Sequence, residues 1–126
     1  MRSKKLNDTS LVVKFVNNDK QTQIKALFTG DIGEKNEKYL ADNFDIKADI
    51  LKVGHHGSKY SSSDYFLKAV SPKISAIEVG KNSYGHPTKE VLDRLALVGS
   101  RIFRTDQNSI VKLSVKGNEI NIFKKQ

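Results

Sequence analysis

Three short apolar runs, each ending in a polar loop that leads into a helical pattern, constrain the fold of this chain most strongly. The runs and the helical patterns alternate along the sequence at 23–29, 34–44, 49–53, 64–70, 74–79 and 88–98. Strands that alternate with helices are typical of α/β proteins, in which helices pack on a β-sheet. We therefore predict an α/β fold.

Further strands are predicted on both sides of this alternating region. A strand at 11–16 and a polar turn at 17–20 would form a hairpin with the run at 23–29. Three short strands complete the pattern at 101–104, 109–115 and 119–123. No repeat, linker or low-complexity segment interrupts these elements, so the sequence predicts a single domain over residues 1–126.

The composition narrows the chemistry and the environment of the chain. Cysteine is absent, which excludes disulfides and thiolate metal sites. No apolar run approaches the roughly 18–20 residues that a membrane span requires, and no signal-like stretch follows the basic start of the chain. We expect the chain as given to be soluble and to make no membrane contact of its own, while its localisation stays open.

The formal net charge of +8 and the sequence pI near 9.7 fit an anionic partner, and nucleic acid is the first candidate. Most of the lysines occur singly, however, and the densest basic pieces lie at 4–5 and 124–125, near the termini. A basic binding face and a merely solvated surface therefore both remain open.

The polar residues with chemical potential collect where strands end and helices begin. They lie at 29–31, 54–58 and 82–87, and all three histidines of the chain fall in the last two of these loops. In open α/β sheets, ligands bind at the carboxyl ends of the strands. We expect the three loops to converge on one pocket.

Each loop also has a purely structural interpretation. Asp31 lies three residues before a glutamate, which is the spacing of a helix capping box, and the serines at 61–63 are N-cap candidates for the next helix. His55 and His56 are adjacent, and on extended backbone their side chains would point in opposite directions, so at most one would bind a metal. His86 precedes a proline suited to the first turn of a helix.

Taken in order, these loops resemble a known pattern. The stretches 28–31 (FTGD), 48–58 (ADILKVGHHGS) and 79–87 (VGKNSYGHP) resemble the metallo-β-lactamase superfamily, and within it the hydrolase domain of ComEC-type DNA-uptake (competence) proteins and their soluble relatives. The segments 8–13 and 104–106 also match that layout. The resemblance implies the C-terminal half of an αββα sandwich, with a mixed sheet and helices packed on one face.

The resemblance also implies an activity, namely metal-dependent hydrolysis directed at phosphodiesters or nucleic acid. Asp31 would bridge two divalent ions, Zn²⁺ or Mn²⁺, and His55 would complete the second ion, with a shared hydroxide as the nucleophile. His86 would lie at the rim as a proton donor to the leaving group or a contact to a substrate oxygen. Five more residues are candidates for supporting the site or binding substrate: His56, Ser58, Lys59, Asn82 and Tyr84.

The main metal-binding stretch of the superfamily, His-x-His-x-Asp-His, is absent from this sequence, as is the separate histidine that follows it. A catalytic zinc usually has three protein ligands. We therefore expect this chain alone to be inactive and to bind metal weakly or not at all, and its partner to be a missing N-terminal half of the domain. Apolar surface that this half would cover makes a homo-oligomer an alternative.

Two other functions stay open. One is a non-catalytic module that binds nucleic acid through phosphate contacts, with structural histidines. The other is a metallohydrolase that acts on a small ester or phosphodiester, because the fold does not determine the substrate. The source would be a membrane-bound bacterial protein or a soluble relative of one.

Overall fold

The structure, a computed structural model, describes residues 10–18, 23–81 and 84–125. The strands are β1 (Val13–Asn18), β2 (Gln23–Phe28), β3 (Ile50–Lys52), β4 (Ile74–Ile77), β5 (Arg101–Arg104), β6 (Ile110–Lys116) and β7 (Glu119–Lys125). The helices are α1 (Glu34–Asn43), α2 (Asp64–Val70) and α3 (Lys89–Leu97). The predicted order of elements is confirmed. The largest shift is in β1, which begins and ends two residues after the predicted strand at 11–16.

Five strands form one mixed sheet in the order β1-β2-β3-β4-β5. β1 pairs antiparallel with β2, and the pairs β2–β3, β3–β4 and β4–β5 are parallel. Because β2 to β5 run in one direction, the loops that follow them lie at the same edge of the sheet. The predicted α/β class is therefore confirmed, and so is the mixed sheet.

The helices cover one face of this sheet. Side chains alternate between the two faces of a strand, so Leu27, Leu51 and Ile77 point toward the helices. There they pack against Phe66 of α2 and Leu95 of α3, and all five side chains are almost completely buried. This core holds the strand ends, and the loops that follow them, in place.

The opposite face is covered by the hairpin of β6 and β7. It packs on one inward-facing residue from each of β2 to β5, namely Ile24, Ile50, Ile74 and Phe103. The molecule therefore has three layers: helices, a five-stranded sheet and a two-stranded sheet. The hairpin is too narrow to cover the whole face, and Val13, Phe15 and Phe28 remain exposed on β1 and β2.

The helix ends decide two of the structural interpretations. Ser63 is the N-cap of α2, and its side chain accepts a hydrogen bond from the Phe66 N–H at 3.2 Å, as predicted for the serines at 61–63. The capping box predicted for Asp31 is wrong. Gly33 is the N-cap of α1 and makes no side-chain capping bond. Within the described part of the chain, no helix has the length and apolar character to cross a membrane.

Candidate functional site

The loops after β2 and β3 are joined through their backbones. The N–H of His55 donates a hydrogen bond to the carbonyl of Gly30 at 2.9 Å. Gly54 permits this approach, because a Cβ at that position would lie 2.8 Å from Thr29 Oγ1 and 2.9 Å from the Gly30 carbonyl oxygen. Asp31, the next residue along, is half-buried, and its N–H donates to Ser10 Oγ at 3.2 Å. The Asp31 and His55 loops are therefore direct neighbours.

His55 and His56 lie in an unusual left-handed turn at Gly54–Gly57. Their φ angles are both 53°, with ψ angles of 36° and 26°. Residues other than glycine rarely adopt this conformation, which costs on the order of 1–3 kcal/mol for each residue and persists only where the surroundings impose it. The premise of extended backbone was therefore wrong. The two side chains nevertheless diverge, toward different partners.

The contacts of the two imidazoles favour one tautomer of each ring. His56 Nδ1 lies 2.7 Å from the Glu78 carbonyl, which can only accept, so Nδ1 carries the proton. Ser61 Oγ already donates to the Ile32 carbonyl at 2.7 Å, and it can accept from His55 Nδ1 at 3.4 Å. In each neutral ring Nε2 then carries the lone pair. A metal-binding histidine has this arrangement, with its other ring nitrogen bonded to an oxygen.

The third loop brings His86 to the same place. The rings of His55 and His86 are 6.3 Å apart, and Tyr84 lies 6.0 Å from His86 on another side. Burial lowers the pKa of His86, and electrostatic repulsion from the neighbouring His55 and His56 lowers it further. The lowered pKa favours a neutral imidazole near neutral pH, which suits a contact to substrate better than a proton donor.

A cleft of about 210 Å³ opens beside the histidines. Its lining is His56, Val79, Gly80, Lys81, Tyr84 and His86. Lys81 was not singled out from the sequence, although it directly follows the glycine at which the predicted strand 74–79 ends. The cleft combines one ammonium group, two imidazoles and a phenol, a set that suits an anionic or phosphate-bearing ligand.

The third loop is held against the left-handed turn by close packing. A Cβ on Gly57 would lie 2.5 Å from the Pro87 Cβ, so no larger residue fits between the two segments. The Thr88 N–H donates to the Gly57 carbonyl at 2.9 Å. The three loops are therefore neighbours in their described residues, but the residues that line the cleft come from the second and third loops and not from 29–31. Asn82 lies outside the described residues.

Two charged residues that the sequence reasoning missed hold the segment after the turn. The carboxylate of Glu37, only 1% exposed, accepts hydrogen bonds from the Ser62 N–H at 2.5 Å and the Ser63 N–H at 3.0 Å. From the other side, the guanidinium of Arg94 donates to the carbonyls of Ser61 and Ser62 at 3.2 and 3.1 Å. Ser61, the partner of His55, is thus fixed from two helices.

Glu37 and Arg94 together form a clamp on the segment 61–63. The sequence contains a signal that both residues need partners inside the protein. Glu37 lies three residues before Leu40, so it falls on the apolar face of its helix, where a charged side chain needs a partner. Arg94 lies three residues after Val91 in the same way. Burial raises the pKa of the Glu37 carboxyl, and the hydrogen bonds from Ser62 and Ser63 oppose that rise.

The remaining candidates occupy different environments. Ser58 is buried, and its hydroxyl accepts from the Tyr60 N–H at 3.2 Å, which serves the local turn. Lys59 is exposed, with Nζ 5.4 Å from the centre of the Tyr60 ring. Tyr84 is 81% exposed and lines the cleft.

Comparison with known proteins adds an independent finding. No protein-family model matches the chain. It is 41% identical over 99 residues to ComE operon protein 3 of Bacillus subtilis, 35% over 106 residues to competence protein ComA of Neisseria gonorrhoeae, and 36% over 97 residues to recombination protein 2 of Haemophilus influenzae. These matches cover 77%, 78% and 76% of the chain. The chain is related to competence proteins.

The relationship confirms the competence part of the resemblance described above. The matched regions amount to 13%, 15% and 12% of the three relatives, so the chain spans about an eighth of their length. The names of these relatives state neither membership of the metallo-β-lactamase superfamily nor a hydrolytic activity.

The metal ions implied by the resemblance can be tested against the donors. Among residues 10–18, 23–81 and 84–125, no group of three or more His, Asp or Glu side chains is arranged to hold a metal ion. Asp31 and His55 have suitable donor atoms and lie on neighbouring loops, but a catalytic zinc usually has three protein ligands. The described residues therefore do not fit a complete metal site, and no catalytic step through a metal is derived.

Proposed function

We propose that this chain is the part of a bacterial DNA-uptake protein that supplies Asp31, His55 and His86 to a metal-dependent site for phosphodiester hydrolysis. The observation that carries the proposal is the direct contact of the loops that follow β2, β3 and β4. The His55 N–H bonds to the Gly30 carbonyl, and the His86 ring lies 6.3 Å from that of His55. The relationship to competence proteins makes nucleic acid the expected substrate.

The proposal assigns Asp31 and His55 as two ligands of a larger set. The other ligands would come from a segment outside the described residues, so the chain alone would be inactive and would hold metal weakly. The small share of the competence relatives that the chain spans supports this division, because those proteins are about eight times as long as the matched region.

The uncovered part of the sheet is proposed as the surface on which the rest of the domain packs. Val13 and Phe28 are direct partners across β1 and β2, and Phe15 is their neighbour on the same face. Contiguous apolar surface of this kind marks an interaction site. A second copy of the chain is the competing occupant, and a complex that forms only between identical chains would favour it.

The chain's own residues would orient the substrate. Lys81 lines the cleft beside His86, where its ammonium group could donate hydrogen bonds to phosphate oxygens. The clamp of Glu37 and Arg94 would keep Ser61, and through it the His55 ring, in one orientation. A neutral His86 would contribute a hydrogen bond to substrate at the rim of the site.

The test is hydrolysis of a labelled DNA oligonucleotide by the longer protein that carries this segment, with Mn²⁺ or Zn²⁺ added. His55→Ala should lower the rate by about 100-fold or more, because even groups that only support a metal ligand are worth about 10–100-fold. Lys35→Ala, an exposed change on α1, should leave the rate unchanged. Equal rates for wild type and His55→Ala would refute the proposal.

A second candidate, a non-catalytic nucleic-acid-binding module, is favoured by the net charge of +8 and by Lys81 in the cleft. It predicts salt-dependent DNA binding that persists with a chelator and in His55→Ala, together with no hydrolysis by the longer protein. A third candidate is a metallohydrolase that acts on a small ester or phosphodiester. It is tested by measuring the hydrolysis of a panel of such compounds by the same protein.

A further inference from the structure

The outward face of the β6–β7 hairpin carries a pattern that the histidine site does not use. Burial alternates along both strands, so that Val111, Leu113 and Ile122 face the sheet while every second residue faces outward. The outward residues are Ile110, Lys112, Ser114, Lys116, Glu119, Asn121, Phe123 and Lys125.

At the end of the hairpin away from its turn, apolar and cationic side chains alternate in a checkerboard of four residues. Phe123 is directly opposite Lys112, and Ile110 is directly opposite Lys125. The Cβ atoms of such cross-strand pairs are about 4.5–5.5 Å apart, and diagonal neighbours are about 7–8 Å apart. Phe123 is 72% exposed, so its ring lies open to solvent between two lysine side chains.

The charge on this face is strongly one-sided. Among the described outward residues, Glu119 has the only side-chain carboxylate, and it is directly opposite Lys116 near the turn of the hairpin. Lys112 and Lys125 have no acidic residue opposite them in the strand register, which favours a polyanion at this end of the face. An ordinary solvated strand face would intersperse both signs of charge and would not expose a phenylalanine between cations.

This end of the hairpin lies close to the edge of the sheet that carries the histidines. Val111 lines a cleft of about 200 Å³ together with Lys52, Glu78 and Thr105, which lie at or beyond the ends of β3, β4 and β5. The Glu78 carbonyl is the hydrogen-bond partner of His56. The checkerboard and the histidine cluster therefore lie at the same end of the sheet.

We propose that this face binds single-stranded DNA, with a base stacked on Phe123 and the flanking phosphates held by Lys112 and Lys125. Aromatic rings beside basic side chains bind single strands without sequence preference, because every base has a face on which to stack. In a duplex the base faces are already stacked on each other, so the ring selects an unpaired strand. The inference rests on the proposed function for its substrate class and adds the form in which that substrate binds.

The test measures binding of fluorescein-labelled oligothymidylate to this chain by anisotropy, without metal. Phe123→Ala should weaken binding by about tenfold, within the range expected for one stacked base. Phe123→Trp should retain binding, and its fluorescence should be quenched by the oligonucleotide. Phe44→Ala, which removes an exposed aromatic side chain just after α1 on the helix side, is the matched control and should bind as wild type.

The lysines are tested through salt dependence. The logarithm of the affinity should fall linearly with the logarithm of the salt concentration, and Lys112→Gln with Lys125→Gln should reduce that slope by about 1.4, since each phosphate contact on a single strand contributes about 0.7. Duplex DNA of the same length should compete poorly. Thermal melts of every variant should match wild type, because all four substituted side chains are exposed.

Equal binding by Phe123→Ala and Phe44→Ala, or equal competition by duplex and single strand, would overturn the inference. Its failure can be separated from that of the proposed function, because no step of this test requires hydrolysis. Loss of hydrolysis in His55→Ala combined with unaltered binding in Phe123→Ala would reject the stacking surface alone. The Phe123 effect without any hydrolysis by the longer protein would reject the hydrolytic proposal alone.

Discussion

The two faces of the five-stranded sheet are covered to different degrees. On the helix face, Leu51, Val53 and Phe66 are at most 1% exposed, and three helices close over them. On the hairpin face, two strands cover part of the sheet, and Phe15 remains 61% exposed. The difference suggests that the stability of the chain comes from the helix side, while the hairpin side and the adjacent loops offer surfaces for partners.

The largest expected effect on stability comes from comparing a buried phenylalanine on the helix face with an exposed one on the hairpin face. Phe66→Ala should lower the free energy of unfolding by about 3–5 kcal/mol, because it removes a fully buried ring and leaves a cavity. Phe15→Ala should change it by no more than about 0.5 kcal/mol, as expected of an exposed site. Urea denaturation followed by circular dichroism measures both values. Similar losses for the two variants would show that the hairpin face is as stabilising as the helix face.

An intermediate effect on stability is expected at Glu37, which joins α1 to the segment after the histidine turn. Glu37→Ala leaves the buried N–H of Ser62 and the part-buried N–H of Ser63 without their acceptor, which should cost about 1–3 kcal/mol. Lys35→Ala on the same helix should be close to neutral. If both changes have the same small effect in denaturation, the carboxylate does not hold the segment.

The raised pKa of Glu37 adds a dependence on pH. Between pH 4.5, the ordinary pKa of a glutamate, and the raised pKa of Glu37 in the folded protein, the unfolded chain has released this proton while the folded protein still holds it. The folded state then binds more protons, so stability falls as the pH rises from 4.5 through the folded pKa. Glu37→Gln should remove this part of the pH profile. An unchanged profile in the variant would assign the slope to other groups.

The smallest effect on stability, but a clear effect on association, is expected on the uncovered part of the sheet. Phe15→Ser combined with Phe28→Ser should leave the unfolding free energy nearly unchanged and should reduce any self-association of the chain. Sedimentation velocity across a range of concentrations measures this. A chain that is monomeric at all concentrations, with or without the changes, would leave the rest of the domain as the only proposed occupant.

Much of the fold was predictable because the apolar periodicity and the glycines mark the elements clearly. The alternation of strands and helices, the N-cap at Ser63 and the proximity of the three loops all follow from patterns in the sequence. The capping prediction for Asp31 failed because the spacing of a capping box does not reveal that the chain turns first at Gly30, where φ is 59°. The helix consequently begins later, after Gly33.

The missed features depend on contacts between distant residues. Glu37 and Arg94 meet one segment from two helices, and a sequence read element by element does not bring them together. The packing of the hairpin on the sheet face opposite the helices was not predicted either, because an alternating pattern marks an inward side without saying what lies against it. The left-handed backbone of His55 and His56 is likewise imposed by surroundings.

The most direct test of the central claim, that this chain holds only part of a hydrolytic metal site, is elemental analysis of the purified protein. The chain alone, incubated with Zn²⁺ or Mn²⁺ and then gel-filtered, should retain far less than one ion per molecule. The longer protein that carries the segment should retain metal near stoichiometry and should lose it in His55→Ala. Tight, near-stoichiometric metal on the isolated chain would contradict the account.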